Sequence, residues 1–186
     1  MNVTSILHLH EIGGKKNQED YLWPEAGAAT VKDRVFIVCD GVGGSENGEV
    51  AARVISSEVG KALESADAKP MSEEYLAELI GKAKESLMFH ATRDVLGYEM
   101  ATTFSMLYLE DSRAFMGWCG DSRVYHVRNG KVLYKTEDHS LVNSLVKSGE
   151  ITEEEALTHP RRNIILKAIK ADYEPVEVEG HWIEDI

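Results

Sequence analysis

Val35-Phe36-Ile37-Val38-Cys39-Asp40-Gly41-Val42-Gly43-Gly44 is the stretch around which the rest of the chain organises. The apolar run from Val35 to Cys39 predicts a strand buried on both faces. A carboxylate ends that strand, and glycines follow it. In most proteins such an ending is only a turn. It also suits a hard cation, because the strand fixes the carboxylate and glycine lets backbone carbonyls approach an ion. Two other glycine-rich readings fail. No Lys-Ser/Thr pair closes the loop, as a phosphate-binding loop requires. The Gly-x-Gly-x-x-Gly spacing of a dinucleotide fold is also missing.

Upstream of this stretch, Ser5 to His10 is short and β-compatible. The polar segment Asn17-Gln18-Glu19-Asp20 follows Gly13-Gly14-Lys15-Lys16 and reads, taken alone, as a loop. Downstream, Val50, Val54, Ile55, Val59, Ala62 and Leu63 recur at helical spacing and predict a helix from about Gly48 to Ala66, with Asn47 as its N-cap. After Pro70, Ser72 caps a second helix whose apolar stripe is Leu76, Leu79, Ile80, Ala83 and Leu87. Two such helices can pair on top of a sheet.

The middle of the chain is rich in β signals. Strands are expected over 102–109, 113–119, 124–127 and 131–135, with Asn129-Gly130 as a two-residue hairpin turn. This meander implies an antiparallel sheet. Ser140 then caps a short helix that Gly149 ends, and Thr152-Glu153-Glu154-Glu155 forms a capping box for another. Residues 164–169 and 176–182 read as further strands. The whole pattern predicts an α+β fold with helices covering the sheets.

Composition narrows the function classes. The chain has 186 residues, of which 43% are hydrophobic, which suits one domain with a real core. A formal net charge of −12 argues against binding nucleic acid or an acidic membrane through a broad electrostatic face. No run approaches the roughly 18 consecutive apolar residues of a membrane span. Residues 1–10 lack the features of a secretion signal. Cys39 and Cys119 are the only two cysteines and sit in apolar strands, as buried free thiols of a reducing cytoplasm would.

Two more segments carry chemistry. Trp118-Cys119-Gly120-Asp121-Ser122-Arg123 reads alone as a β-turn. Glu137-Asp138-His139-Ser140 reads alone as the Ser140 cap preceded by a solvated His139. In their order and spacing, however, these motifs resemble the PP2C-type (PPM) family of metal-dependent protein serine/threonine phosphatases. That family has an acidic Glu-Asp pair, then Asp-Gly-x-Gly-Gly after a strand. Next come a threonine-rich strand (Ala101-Thr102-Thr103-Phe104 here), Gly-Asp-Ser-Arg, Asp-His-Ser, and an Asn-to-Ala strand like Asn163 to Ala168. The resemblance covers nearly the whole chain.

The resemblance implies a β-sandwich of two antiparallel sheets flanked by helix pairs, forming one domain over residues 1–186 that is incomplete on its C-terminal side. It implies two Mn²⁺ or Mg²⁺ ions and a third, weaker one. Asp40 matches the carboxylate that bridges the two ions, and Gly41 matches a backbone carbonyl ligand. Glu19 and Asp20 match the acidic pair that completes one ion's sphere, and Asp121 matches a ligand of the third. A metal-activated water then attacks phosphoserine or phosphothreonine. The implied partners are a phosphorylated protein substrate and a serine/threonine kinase of the same pathway.

Three departures stand out. Lys15 or Lys16 stands where the family usually places a phosphate-holding arginine, so bidentate geometry is lost. Val42 occupies a position where eukaryotic members often have histidine, which points to a bacterial-like enzyme. The family's two C-terminal metal aspartates have no match, since Asp138, Asp172 and Asp185 lie in other contexts. These residues alone are therefore expected to turn over little substrate. The alternatives are an active phosphatase of which this is one part, a non-catalytic pseudophosphatase that serves as a binding module, and a partner chain supplying the absent strands.

Overall fold

The computed structural model describes residues 2–42, 47–65, 69–92, 99–184 and 186. The Gly43-Gly44-Ser45-Glu46 part of the glycine turn, Ala66 and Asp185 lie outside the described residues.

A five-stranded antiparallel sheet carries the fold, in the order β1 (Asp20–Trp23), β2 (Val35–Asp40), β4 (Phe104–Leu109), β5 (Ala114–Cys119) and β9 (Glu179–Ile183). Helices α1 (Gly48–Leu63) and α2 (Glu73–Ala91) pair and cover one face. Two ladders of two strands lie outside this sheet. One joins β3 (Ala101–Thr102) to β8 (Ile169–Lys170), and the other joins β6 (Tyr125–Arg128) to β7 (Lys131–Lys135). The second sheet implied by the resemblance is thus represented, among the described residues, by these short ladders. Two short helices, α3 (Leu141–Lys147) and α4 (Glu153–Thr158), follow the hairpin.

Burial along β2 corrects one expectation. Val35, Ile37 and Cys39 are buried under α1, whereas Val38 on the opposite face is 42% exposed. The strand is buried on one face because only that face has the helix layer. The core there includes Ile37, Phe104 and Met106 from the sheet, with Ile55 from α1 and Leu76 and Ile80 from α2. Each such side chain contributes roughly 1.5–3 kcal/mol by leaving water. Trp23 lies against Gly60 of α1, and its Nε1–H donates to Glu64 at 3.1 Å.

Local signals hold where caps and turns decide. Ser72 Oγ accepts from the Tyr75 amide, and Ser140 Oγ from the Asn143 amide. Thr152 and Glu155 close a full capping box. Asn129 and Gly130 both have positive φ, 52° and 73°, as a two-residue hairpin turn requires. Asn47 precedes α1 in a left-handed conformation, and its side chain makes no capping hydrogen bond. Ser5 to His10 does not join a strand ladder, and of the strand expected over 164–169 only Ile169 lies in β8. The meander is broken between β5 and β6, because residues 120–124 leave the sheet.

On the outer side, Tyr134 of the hairpin stacks on His181 of β9, with ring centroids 3.9 Å apart. On the helix side, Lys84 of α2 is buried. It donates to Asp172 Oδ1 at 2.6 Å and to the Glu174 carbonyl at 2.7 Å, which holds the loop before β9. Among the described residues, no helix is long and apolar enough to cross a membrane.

Candidate metal centre

Two acidic strand ends meet in this fold. Asp20 begins β1 and Asp40 ends β2, and the antiparallel register places them directly opposite each other. Directly paired residues of neighbouring strands point to the same face, with Cβ atoms about 5 Å apart. The two carboxyls come within hydrogen-bonding reach, and the Asp40 carboxyl is pushed up to about 6. Loss of water around it is the main cause, the Asp20 charge adds to this, and the Lys15 ammonium works in the opposite direction. Such a pair favours a shared proton or a bound cation.

Glu19, Gly41 and Lys15 are linked to these strand ends by hydrogen bonds and charge. The Gly41 amide donates to the Glu19 carbonyl at 3.0 Å. Lys15 pairs with the Glu19 carboxylate, and that hydrogen bond is the first cause of its raised pKa; Asp40 and Asp20 add smaller charge effects. Gly41 is required sterically. A Cβ there would lie 2.5 Å from the Gly48 carbonyl carbon and 2.9 Å from the Glu19 carbonyl oxygen. Strand β2, the start of α1 and the Glu19-Asp20 segment can meet only where a residue has no side chain.

Asp121 stands on the next turn. Its charge reaches Asp40 as the last of the causes acting on that carboxyl. Its own pKa is raised, chiefly by burial. It also lines a cleft of about 440 Å³ together with Arg123, Asn143, Leu157 and Arg162. Arg123 is held by Asp138, its Nε donating at 2.6 Å.

Thr103 joins the two turns, and the sequence pattern gives it no role of its own. Its Oγ1 accepts from the Asp40 amide at 3.1 Å and shares a hydrogen bond with Ser122 Oγ at 2.6 Å. Its own amide donates to the Asp40 carbonyl at 2.9 Å. The adjacent Thr102 is buried too and donates to the same carbonyl at 3.0 Å. The visible signal is two threonines side by side at a strand entry. Thr103→Val keeps the shape but leaves the Asp40 amide without its acceptor. We expect a loss of about 2 kcal/mol, seen as a melting temperature lower by roughly 4–8 °C, while Thr103→Ser stays near the native value.

The donor set can be weighed against a divalent cation. Carboxylates, a backbone carbonyl and an environment that penalises a bare negative pair all suit a hard cation. Among the described residues, no three His, Cys, Asp or Glu side chains stand close enough to hold an ion by themselves. Asp20 and Asp40 therefore supply a partial set.

The facing carboxyls of Asp20 and Asp40, set beside Lys15, offer the oxygen-donor chemistry that suits a hard cation. The chain belongs to the protein phosphatase 2C family, whose model matches residues 9–171. It is 33% identical over 141 residues to the serine/threonine phosphatase stp of Listeria innocua, covering 74% of this chain and 56% of that protein. The chain thus spans a little over half the length of this relative. Its fold is similar to the crystal structure of the serine/threonine phosphatase Stp1 from Staphylococcus aureus, with a TM-score of 0.81 and 28% identity. That match covers 99% of this chain and 74% of the other. It also resembles the catalytic domain of the phosphatase PstP, solved with 2 manganese ions, with a TM-score of 0.72 and 24% identity. There the match covers 92% of this chain and 68% of that one.

Proposed function

We propose that these 186 residues form one domain contributing the acidic centre of a protein serine/threonine phosphatase, and that Asp40 is the focus of its metal site. The observation that carries this reading is the facing Asp20–Asp40 pair, whose shared electrostatic penalty a cation would relieve. In this reading Asp40, Asp20, Glu19 and the Gly41 carbonyl hold two Mn²⁺ or Mg²⁺ ions with help from water, and Asp121 holds a third more weakly. When bound, such ions make water more acidic and neutralise phosphate charge.

The chain's own groups have separable tasks. The β1–β2 register fixes the spacing of the carboxylates. Thr103 holds the Asp40 backbone. In this reading Lys15 leaves Glu19 and meets a phosphate oxygen as a point charge.

The substrate class is phosphoserine and phosphothreonine on proteins, made by a serine/threonine kinase of the same pathway. Two buried free thiols, Cys39 and Cys119, fit a reducing compartment, and we place the reaction in the cytoplasm. The whole protein carrying these residues is expected to release phosphate from a phosphothreonine peptide with Mn²⁺ present, and a chelator should stop it. Peptide binding without phosphate release would favour the non-catalytic reading. Lys15→Arg supplies the missing fork and should lower KM about threefold to tenfold; an unchanged KM would remove Lys15 from the phosphate site.

A further inference from the structure

His139, which reads in the sequence as a solvated neighbour of the Ser140 cap, is 9% exposed and tied twice to Gly120. Its backbone amide donates to the Gly120 carbonyl at 2.9 Å, and its ring Nδ1 accepts from the Gly120 amide at 3.0 Å. An amide can only donate, so Nδ1 carries the lone pair and the ring proton sits on Nε2. Nε2 lies 2.9 Å from Glu179 Oε1, so this proton points at the carboxylate. Glu179 thereby selects the one neutral tautomer able to hold the Gly120 amide.

The ring has no freedom to do otherwise. It stacks on Trp118, with centroids 6.3 Å apart and planes 21° from parallel. Trp118 is the cross-strand partner of Glu179, so the two groups that orient the imidazole share one rung of the β5–β9 ladder. Gly120 is equally constrained. Its φ is +112°, and a Cβ would fall 2.8 Å from Thr103 Cβ. The turn is thus pressed against Thr103 on one side and held by His139 through Gly120 on the other. Asp121 is the next residue, and its charge reaches Asp40.

We propose that His139 is a positioning residue: its Glu179-selected tautomer holds the Gly120-Asp121 turn and so keeps the Asp121 carboxylate within electrostatic reach of Asp40. The geometric part stands on the contacts above. Its consequence for ion binding rests on the phosphatase reading. Groups that orient metal ligands from outside the ion's own sphere typically change metal affinity by about tenfold to a hundredfold when removed.

The two amide replacements separate this role from simple space filling. His139→Asn puts a carbonyl oxygen near the Nδ1 position and keeps an acceptor for the Gly120 amide. His139→Gln puts its polar end near the Nε2 position and does not. Hydrogen exchange of the Gly120 amide should stay within about threefold of native in His139→Asn and rise about tenfold in His139→Gln. Glu179→Ala frees the tautomer and should raise exchange about threefold. In the whole protein, the Mn²⁺ concentration giving half-maximal phosphopeptide hydrolysis should rise about tenfold in His139→Gln. It should change little in His139→Asn, with KM for the peptide unchanged in both.

Equal Gly120 exchange in the Asn and Gln variants would overturn the proposal. If His139→Gln fails to fold, native exchange in Glu179→Ala would overturn it. Absence of Mn²⁺-dependent hydrolysis in the unmodified protein would instead count against the phosphatase reading, and the exchange series would still decide the role of His139.

Discussion

Replacing Asp40 with asparagine should stabilise the metal-free protein and abolish its response to Mn²⁺. The two effects have one cause. In the fold the Asp40 carboxyl is pushed up to about 6, first by loss of water and then by the Asp20 charge. In the unfolded chain it titrates near 3.9. The folded state therefore favours the protonated form. The penalty is absent below about pH 4, grows as pH rises toward 6, and is complete above that. The asparagine side chain carries no charge and escapes it. Because solvent reaches Asp40, the gain at neutral pH is screened to about 1 kcal/mol, or roughly 2–4 °C in melting temperature. Mn²⁺ should raise the melting temperature of the unmodified protein and leave Asp40→Asn unmoved. Phosphopeptide hydrolysis by the whole protein should fall by about a thousandfold or more, the scale of losing some 4 kcal/mol of transition-state stabilisation. A variant that is less stable without metal, or still stabilised by Mn²⁺, would contradict this account.

Gly41→Ala should be the most damaging single-methyl addition at this centre. The new Cβ would lie 2.5 Å from the Gly48 carbonyl carbon, 2.6 Å from the Gly48 oxygen and 2.9 Å from the Glu19 oxygen. All three are backbone atoms, so no side-chain rotation relieves the clash. Relief requires the start of α1 or the Glu19-Asp20 segment to move. Overpacking of this kind costs about 3 kcal/mol, or roughly 6–12 °C in melting temperature. The same movement separates Asp20 from Asp40, so Mn²⁺ affinity should fall together with stability. Gly14→Ala provides the control, because nothing lies within 4 Å of a Cβ there. Equal melting temperatures for the two variants would show that the β2–α1 junction is not the tight contact described.

What the sequence makes legible follows the range of the interactions. Ser72, Ser140 and Thr152 cap helices through bonds three residues away, and Asn129-Gly130 turns a hairpin within itself. The Asp-Gly strand end is equally visible, since an apolar run, a carboxylate and glycines are contiguous. The less legible features join distant residues. Thr103 reaches Asp40 across 63 positions, and the His139 ring reaches Gly120 across 19. Neither partner is implied by local spacing. Burial of β2 on one face only also depends on where α1 lands. The expected strand over 164–169 is largely replaced by single contacts, such as the Leu141 amide donating to the Ile164 carbonyl at 2.9 Å. An apolar run alone does not distinguish a strand from a segment that packs beside one.

Calorimetric titration with Mn²⁺ at pH 7 and pH 5 tests the Asp40-centred cation site most directly. The unmodified protein should bind at pH 7 and bind about tenfold more weakly at pH 5, because the cation must displace the proton that Asp40 then holds. Asp40→Asn should bind at least about a hundredfold more weakly at pH 7. Equal Mn²⁺ affinity in the two proteins, with no dependence on pH, would contradict the account.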